Sequence, residues 1–481
     1  MRIFLYLALI ISEEECVAVI AKNNIHNEGG FSDSGEVSEK NTNLKDVATI
    51  SQKQLFWLWL PLVATWALIG LELPMAHIML TRLPNVEENL AALGVAFSIF
   101  IIVESPIFSM MSAATVLVSD KKAYYKLRNF NFCLGATLSF FLTLLLIPSV
   151  FKFLTTTILA LPEDILHNVW WALLLYVPCP FFVGYRRFYQ GILVRSGMNS
   201  RVGIGTMARV FVSIGSMLLL ATCGFPGAIV GVGGCVSGML FEAGISRYMV
   251  RPALKKLLAD PASENTLTYP YIAKFYVPLA LASIMGTAIT PVLVFFLARG
   301  SFPVESLAVY PVLSGIINFS ASAIIGLHDL MLGTLGDKYE NLLQLKIFTK
   351  RVAFTLIAIL SILLFTPLKL LLFGVIYGLP ENLIHFATDA AIFIVLFLIT
   401  DVYAFYVRAV LIRARKTAIV TFSSVMFLLS VFVLMMLLID HTSIYGATAA
   451  VIALVIGNCI GIMSFLPEYK TTLKNIQRLA P

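Results

Sequence analysis

From about residue 55 to residue 466 the chain alternates long apolar runs with short polar ones. Read in a window of about 19 residues, these runs predict twelve membrane-spanning helices. In the first half they cover approximately 55–80, 90–118, 131–151, 165–183, 202–223 and 226–246, and in the second 271–298, 306–335, 352–373, 383–407, 417–439 and 443–466. Each approaches the roughly 20 residues needed to cross a hydrocarbon core. The apolar stretch 3–11 is too short to span and lacks a clear small-residue cleavage site, so a signal peptide is the less favoured reading. Residues 21–51, rich in Asn, Ser, Glu and Lys, read as a mobile polar tail. The expected division is a cytoplasmic tail over 1–54, a six-helix bundle over 55–250, a cytoplasmic linker over 251–270, a second bundle over 271–466 and a cytoplasmic tail over 467–481.

The halves repeat one another. At an offset of 217 residues Pro61 and Leu62 meet Pro278 and Leu279, Pro74 meets Pro291, Arg82 meets Arg299, and Glu88 meets Glu305. Asp120 and Lys121 likewise meet Asp337 and Lys338, and Phe188 and Tyr189 meet Phe405 and Tyr406. At 219 Gly227, Ala228 and Gly238 meet Gly446, Ala447 and Gly457. Six helices is an even number, so both copies start from the same face and their pseudo-two-fold axis runs along the membrane normal. Two parallel bundles then face each other across a central cleft.

Composition agrees with spans. Hydrophobic residues make up 59% of the chain and charged residues 13%, against about 25% charged in soluble domains. The net charge of +7 is a matter of topology. Of the Lys and Arg residues, 29 fall on the side of both termini, Arg82, Lys152, Arg299 and Lys369 on the other, and Arg209 inside a span. Positive residues stay inside, so the reading is a multi-pass protein of the cell (inner or plasma) membrane, both termini cytoplasmic and no nucleic-acid partner. Trp57 and Trp59 are expected at the inner interface, Trp170 and Trp171 at the outer one. The six cysteines have no disulfide or zinc spacing, and no Walker motif, metal-binding His pair or catalytic triad is visible. The chain reads as no enzyme, with no metal and no cofactor beyond H⁺ or Na⁺ as a coupling ion.

Charges inside spans carry the candidate chemistry, because each costs about 2.5–3.5 kcal/mol on insertion scales and needs a partner, water or a role. Glu72, Glu104 and Asp401 are the candidates for binding a proton or cation. Arg209 and Glu242 are expected to neutralise one another beside the cleft, with a substrate contact by Arg209 as the alternative. His328 and Asp329, adjacent and so about 100° apart, are candidates for an inner gate. Six acids in the spans against one base, adding Asp389, suggest an acid-lined cleft shared by both halves. Pro74 and Pro291 should bend helices one and seven and border the cavity; Pro106, Pro178 and Pro180 lack twins and read as structural. Arg186, Arg187 and Arg195, with Arg408, Arg413 and Arg415, form basic clusters at a cytoplasmic mouth, where positive-inside topology explains them and anion concentration is the sharper alternative. Gly227, Gly231, Gly234 and Gly238 form a close-packing face on helix six.

The run Pro278-Leu279-Ala280-Leu281, followed by Pro291, Val292, Leu293, Val294 and Arg299, resembles the multidrug, oligosaccharide-lipid and polysaccharide (MOP) exporter superfamily, which includes the MATE transporters. Within it, the pattern is most similar to the progressive ankylosis branch. The first half repeats it through Pro61, Leu62, Glu72, Arg82, Leu90, Ala91, Gly94 and Ala96, and Gly446, Ala447 and Thr448 also resemble it. The resemblance implies an all-α, V-shaped fold of two six-helix bundles that exports by rocking, without ATP. It implies cation or proton coupling by an acid in the first helix, the place of Glu72, and in the ankylosis branch small organic or phosphorylated anions as substrates. Thr290 stands where that branch has an arginine. The reading is a secondary active exporter of a small organic or drug-like solute, acting as a monomer in the bilayer. The alternatives are a flippase for a lipid-linked precursor, which needs a basic, laterally open cleft, a non-transporting scaffold, and a major-facilitator-type transporter, whose loop glycines are absent around Asp120 and Lys121.

Overall fold

The computed structural model describes residues 50–159, 161–259, 267–336, 339–377, 379–442 and 444–479. Most of the amino-terminal tail, Cys16 included, lies outside them, as do residues 260–266 of the linker and Asp337 and Lys338 of the repeat.

Twelve helical segments follow the apolar runs: α1 Gln52–Leu80, α2 Val86–Leu117, α3 Lys121–Leu145, α4 Glu163–Arg195, α5 Asn199–Thr222, α6 Gly227–Met249, α7 Tyr269–Leu297, α8 Pro303–Thr334, α9 Leu342–Phe365, α10 Glu381–Arg413, α11 Thr417–His441 and α12 Gly446–Leu479. Eleven are long and apolar enough to cross a membrane, and α3 makes a twelfth together with the bent segment after it. Their starts are written in local chemistry. Ser51 and Gln54 form a reciprocal capping box on α1, and the Asp120 carboxylate accepts from the Ala123 N–H at 2.9 Å to start α3.

Several expected boundaries differ, among them those of the ninth span, expected over 352–373 and found at Leu342–Phe365. The third span was expected over 131–151, but α3 ends at Leu145 and the chain turns by 76° into Pro148–Ile158. Ile147 precedes Pro148 and is extended (ψ 128°), as the proline ring requires of its predecessor. The second half repeats the device at Thr366 (ψ 172°) and Pro367. The fourth span runs past 183 to Arg195, and the last runs past Leu466 through Pro467 to Leu479, with Tyr469 buried in the place of a tail. Within the linker Arg251–Ala259 is a short helix with Ala253 and Leu254 inward and Lys255 and Lys256 outward.

The duplication extends to packing. In the first half α5 packs on α6, α1 on α5, α2 and α3 on α4, and α4 on α6; the second half reproduces every pair, as α11 on α12, α7 on α11, α8 and α9 on α10, and α10 on α12. Asn85 and Phe302, 217 residues apart, both take a left-handed backbone ahead of α2 and α8 (φ 55° and 53°). Gly227 gives Asn89 room at the start of α6, where the Asn89 amide oxygen accepts from the Ala228 N–H at 2.9 Å, and Gly446 does the same for Ser306 at the start of α12.

The halves meet along α1–α8 and its symmetry mate α2–α7. The Trp59 indole donates to the Ala323 carbonyl (3.0 Å) and its ring lies edge-on against Phe348, so Trp59 joins the halves. The Tyr276 hydroxyl donates to the Pro106 carbonyl (2.7 Å), and the Ser109 and Ser283 hydroxyls are 2.9 Å apart. At the end bearing the basic loops one hydrophobic cluster includes both halves, through Met110, Phe188, Tyr276, Leu327, Leu345 and Val407. At the opposite end each half has its own clusters, around Phe100 and Val169 in the first and around Leu313 and Met435 in the second. The molecule is thus a V joined at its basic end.

Candidate functional site

The intramembrane charges of the first half converge. α1 supplies Glu72, α4 Arg186 and Arg187, α5 Arg209, and α6 Glu242, all buried. The Glu72 carboxylate is paired with the Arg209 guanidinium, accepting from its Nε at 3.2 Å and from Nη2, and also accepts from Ser213 Oγ at 2.8 Å. Glu242, with no exposed surface, pairs with Arg186 and accepts from Thr206 Oγ1 (2.7 Å), Gln190 Nε2 (3.1 Å) and Arg209 Nη1 (3.4 Å). Arg209 therefore bridges two carboxylates in a chain of two acids and two bases. Such pairing is the condition under which charges tolerate burial. The expected Arg209–Glu242 pair is present, although Arg186 is the nearer partner of Glu242.

Glycines bring the chain together. A Cβ on Gly238 of α6 would lie 2.0 Å from Ser213 Oγ and 2.8 Å from the Arg209 carbonyl, and one on Gly234 would lie 2.9 Å from the Ser213 carbonyl. α5 and α6 thus approach to backbone contact where Ser213 and Arg209 meet Glu72. Of the glycines expected to form a close-packing face on helix six, Gly234 and Gly238 make this contact, whereas Gly227 meets Asn89 and Gly231 meets Leu80.

Beside the chain is a cavity of about 130 Å³, lined among others by Trp66, Glu72, Phe97, Phe100, Glu104, Phe108, Tyr176, Arg186, Arg187 and Arg209. Every lining residue belongs to the first half. This cavity therefore lies inside a single bundle, not between the two. Two broken helices shape it. Glu104 is the last residue of the first segment of α2, Val86–Glu104, before the 3₁₀ turn Ser105–Ser109. Pro106 cannot donate to the Ile102 carbonyl, and Ser105 Oγ does so instead at 2.8 Å. α4 is broken at Val177 and Pro178, between Tyr176 and the two arginines. By contrast, α1 and α7 run unbroken through Pro74 and Pro291, both exposed, and neither proline lines the cavity. The helix breaks beside the cavity fall instead at Pro106 and Pro178, which have no twins in the repeat.

Arg186 and Arg187 do not stand at a mouth. They are 2% and 4% exposed, inside the bundle, because α4 continues past them. With them the expected six acids to one base becomes six to three, and the cavity wall itself carries two carboxylates, Glu72 and Glu104, against three arginines. Arg408 is half-buried above the Phe405 ring, an electrostatic neighbour of Asp401. The arginines that do lie near the helix ends cap them: Arg195 donates to the Thr115 carbonyl at the end of α2 (3.0 Å), and Arg413 to Gly336 after α8 (3.3 Å).

Asp401 stands apart from Glu72 and Glu104, in the second half, beside a hollow of about 10 Å³ with Ser320 and Phe397. At the positions matching Glu72, Glu104 and Arg209 by the 217-residue offset the second half has Ile289, Ala321 and Met426. The frame is duplicated and this charge cluster is not.

His328 and Asp329 touch, Nδ1 to Oδ1 at 3.4 Å, despite pointing from adjacent positions. Asp329 also accepts from the Trp66 indole at 2.9 Å, and the Arg187 guanidinium lies 4.6 Å from the centre of that ring. This Trp66–Asp329 contact ties the rim of the cavity to the second half. Trp66, Gln190, Thr206 and Ser213 were not singled out from the sequence, since uncharged polar or aromatic residues in a span carry no distinguishing cost.

No protein-family model matches this chain, and no curated protein matches it. Solved structures do. A multidrug resistance MATE family transporter of the MOP superfamily, in an outward-facing conformation, is 15% identical, with 88% of this chain and 96% of that one aligned at a TM-score of 0.72. A MOP superfamily transporter from Pyrococcus furiosus, described as having a binding pocket of reversed polarity, is 13% identical over 91% and 99% at 0.72. A Vibrio cholerae MATE transporter is 15% identical over 88% and 97% at 0.69. The chain has the all-α fold of these transporters, which sets aside the major-facilitator arrangement. The likeness does not single out the progressive ankylosis branch.

Proposed function

We propose that the protein is a secondary active transporter of a small organic solute that works by alternating access, with its basic end cytoplasmic and the V open outward, and with Glu104 as the group that takes up the coupling proton or Na⁺. The observation that carries this reading is a carboxylate in reserve. Glu72 and Glu242 are engaged by arginines, whereas Glu104 is buried, lines the cavity and has no hydrogen-bond or ion-pair partner among the described residues. A buried carboxylate without a partner is stable only when it binds a proton or a cation. Charge movement of this kind is a sufficient power source, since one elementary charge crossing 100 mV supplies about 2.3 kcal/mol, roughly fifty-fold accumulation. The fold is that of solved transporters, and rocking of two bundles about the joined end would carry the cavity between faces. Glu72 supports the site by holding Arg209. Outward export is the direction in which an inward ion gradient would drive exchange.

The test is solute flux in proteoliposomes under imposed pH and Na⁺ gradients. Glu104→Gln should abolish gradient-driven accumulation while leaving downhill exchange measurable. Gradient-driven flux equal to wild type would remove Glu104 from the coupling role.

A further inference from the structure

Arg187 is the counterpart of Glu104. It is 4% exposed and lines the same cavity, its Nε is buried without a partner, and its Nη1 donates only to the weak Met111 sulfur acceptor at 3.9 Å among the hydrogen bonds described. One side of the guanidinium lies against the Trp66 ring. Among the described residues no carboxylate comes within 4.0 Å of it. Arg187 has Asp329, Glu242 and Glu104 as electrostatic neighbours without forming an ion pair with any of them, and of these Asp329 is engaged by Trp66, Glu242 by Arg186, and Glu104 by no partner among the described residues. The rest of the wall is largely apolar and aromatic, with Phe97, Ile101 and Phe108 half-buried and Phe100 stacked on Tyr176 at 4.1 Å.

We infer that the cavity is built for a small zwitterion of α-amino-acid size, its carboxylate on the Arg187 guanidinium, its ammonium on Glu104, and its apolar remainder against Phe97, Ile101 and Phe108. The inference rests on the transport reading and names the substrate class of the same site. Two unpaired buried charges of opposite sign are each costly. A monocation satisfies Glu104 and leaves Arg187; a monoanion does the reverse. A zwitterion answers both and adds no net charge to a region where Arg186, Arg209, Glu72 and Glu242 already balance. A guanidinium also suits a planar carboxylate through two parallel N–H donors. The volume limits size, being close to the roughly 150 Å³ of an apolar cavity that accepts benzene.

The experiment is equilibrium binding to the purified full-length protein, by calorimetry, of three probes of one carbon skeleton: leucine, isopentylamine, which lacks the carboxylate, and 4-methylpentanoate, which lacks the ammonium. Alanine and phenylalanine bracket the size. Loss of a hydrogen-bonded charge contact should weaken each half-molecule about ten- to a hundred-fold relative to leucine. Arg187→Gln should abolish the preference for leucine over the amine, and Glu104→Gln the preference over the acid, each in protein shown by thermal unfolding to be folded. Equal binding of the amine and leucine to wild type would make this a cation site, and equal binding of the acid an anion site; either overturns the inference. So does failure of all three amino acids to bind at millimolar concentration, the result expected if Arg187 and Glu104 simply close on each other. Because binding needs no gradient, a zwitterion that binds while Glu104→Gln retains driven flux would sink the coupling role alone.

Discussion

Glu242 and Glu468 both face a cation, and the difference in burial decides what each is worth. Glu242 has no exposed surface and answers four donors, whereas the Lys416–Glu468 pair is 32% and 40% exposed. Removing one partner of a buried pair strands the other, so Glu242→Gln should cost about 3–5 kcal/mol. Glu468→Gln should cost about 0–1 kcal/mol. Thermal or denaturant unfolding of the two variants side by side would check this, and equal losses would contradict the pairing described. At this scale the sequence was informative where a lone charge interrupts an apolar run, as at Glu72, Glu104, Arg209 and Glu242. It misled at Arg186 and Arg187, because Tyr185, the two arginines and Gln190 lower the local hydropathy and seem to end the span at 183. The apolar stretch Ile192, Leu193 and Val194 beyond them was the signal that α4 continues.

At the scale of elements, function depends on where helices break and where they touch. Gly238 and Gly215 make a controlled comparison. A Cβ at 238 collides with Ser213 and the Arg209 backbone, while one at 215, on the neighbouring α5, meets nothing within 4 Å. Gly238→Ala should therefore push α5 away from α6, costing about 1–3 kcal/mol by overpacking, and loosen the Arg209–Glu72 pair, with ligand binding reduced. Gly215→Ala should be neutral or stabilising by about 0.5–1 kcal/mol through helix propensity. Binding and unfolding measured on both variants decide the point; a harmless alanine at 238 would contradict the close approach. Prolines show why element-level reading was only partly successful. Proline reduces the ladder of hydrogen bonds wherever it stands, but whether the helix continues depends on neighbours. α1 carries Pro61 and Pro74 without a break, whereas at Pro106 a 3₁₀ turn forms, with Ser105 and Tyr276 supplying replacement donors. Those donors come partly from the other half and cannot be read locally.

For the whole molecule, the repeat in sequence anticipated the paired packing of every helix, because a duplicated frame needs the same residues at the same crossings, as at Gly227 and Gly446. It could not anticipate that the chemistry would be one-sided, since a repeat suggests symmetric contents and only the substitutions at Ile289, Ala321 and Met426 indicate otherwise. The alternating access proposed above requires the α2–α7 contact to open. Ser109→Cys combined with Ser283→Cys, whose parent hydroxyls are 2.9 Å apart, should cross-link under oxidation, stop flux and release it on reduction. Unchanged flux in the oxidised, cross-linked protein would mean that the halves do not part there.

The four apolar clusters at the open end each belong to one bundle, so a rigid swing of the arms leaves them intact. In the transport cycle proposed above, what must be dismantled and rebuilt is the shared cluster around Met110, Tyr276 and Leu327. The activation barrier for turnover is then largely the hydration of apolar surface at one end, a process with a pronounced heat-capacity change. Transport rate should accordingly curve on an Arrhenius plot, even with the bilayer held in a single phase.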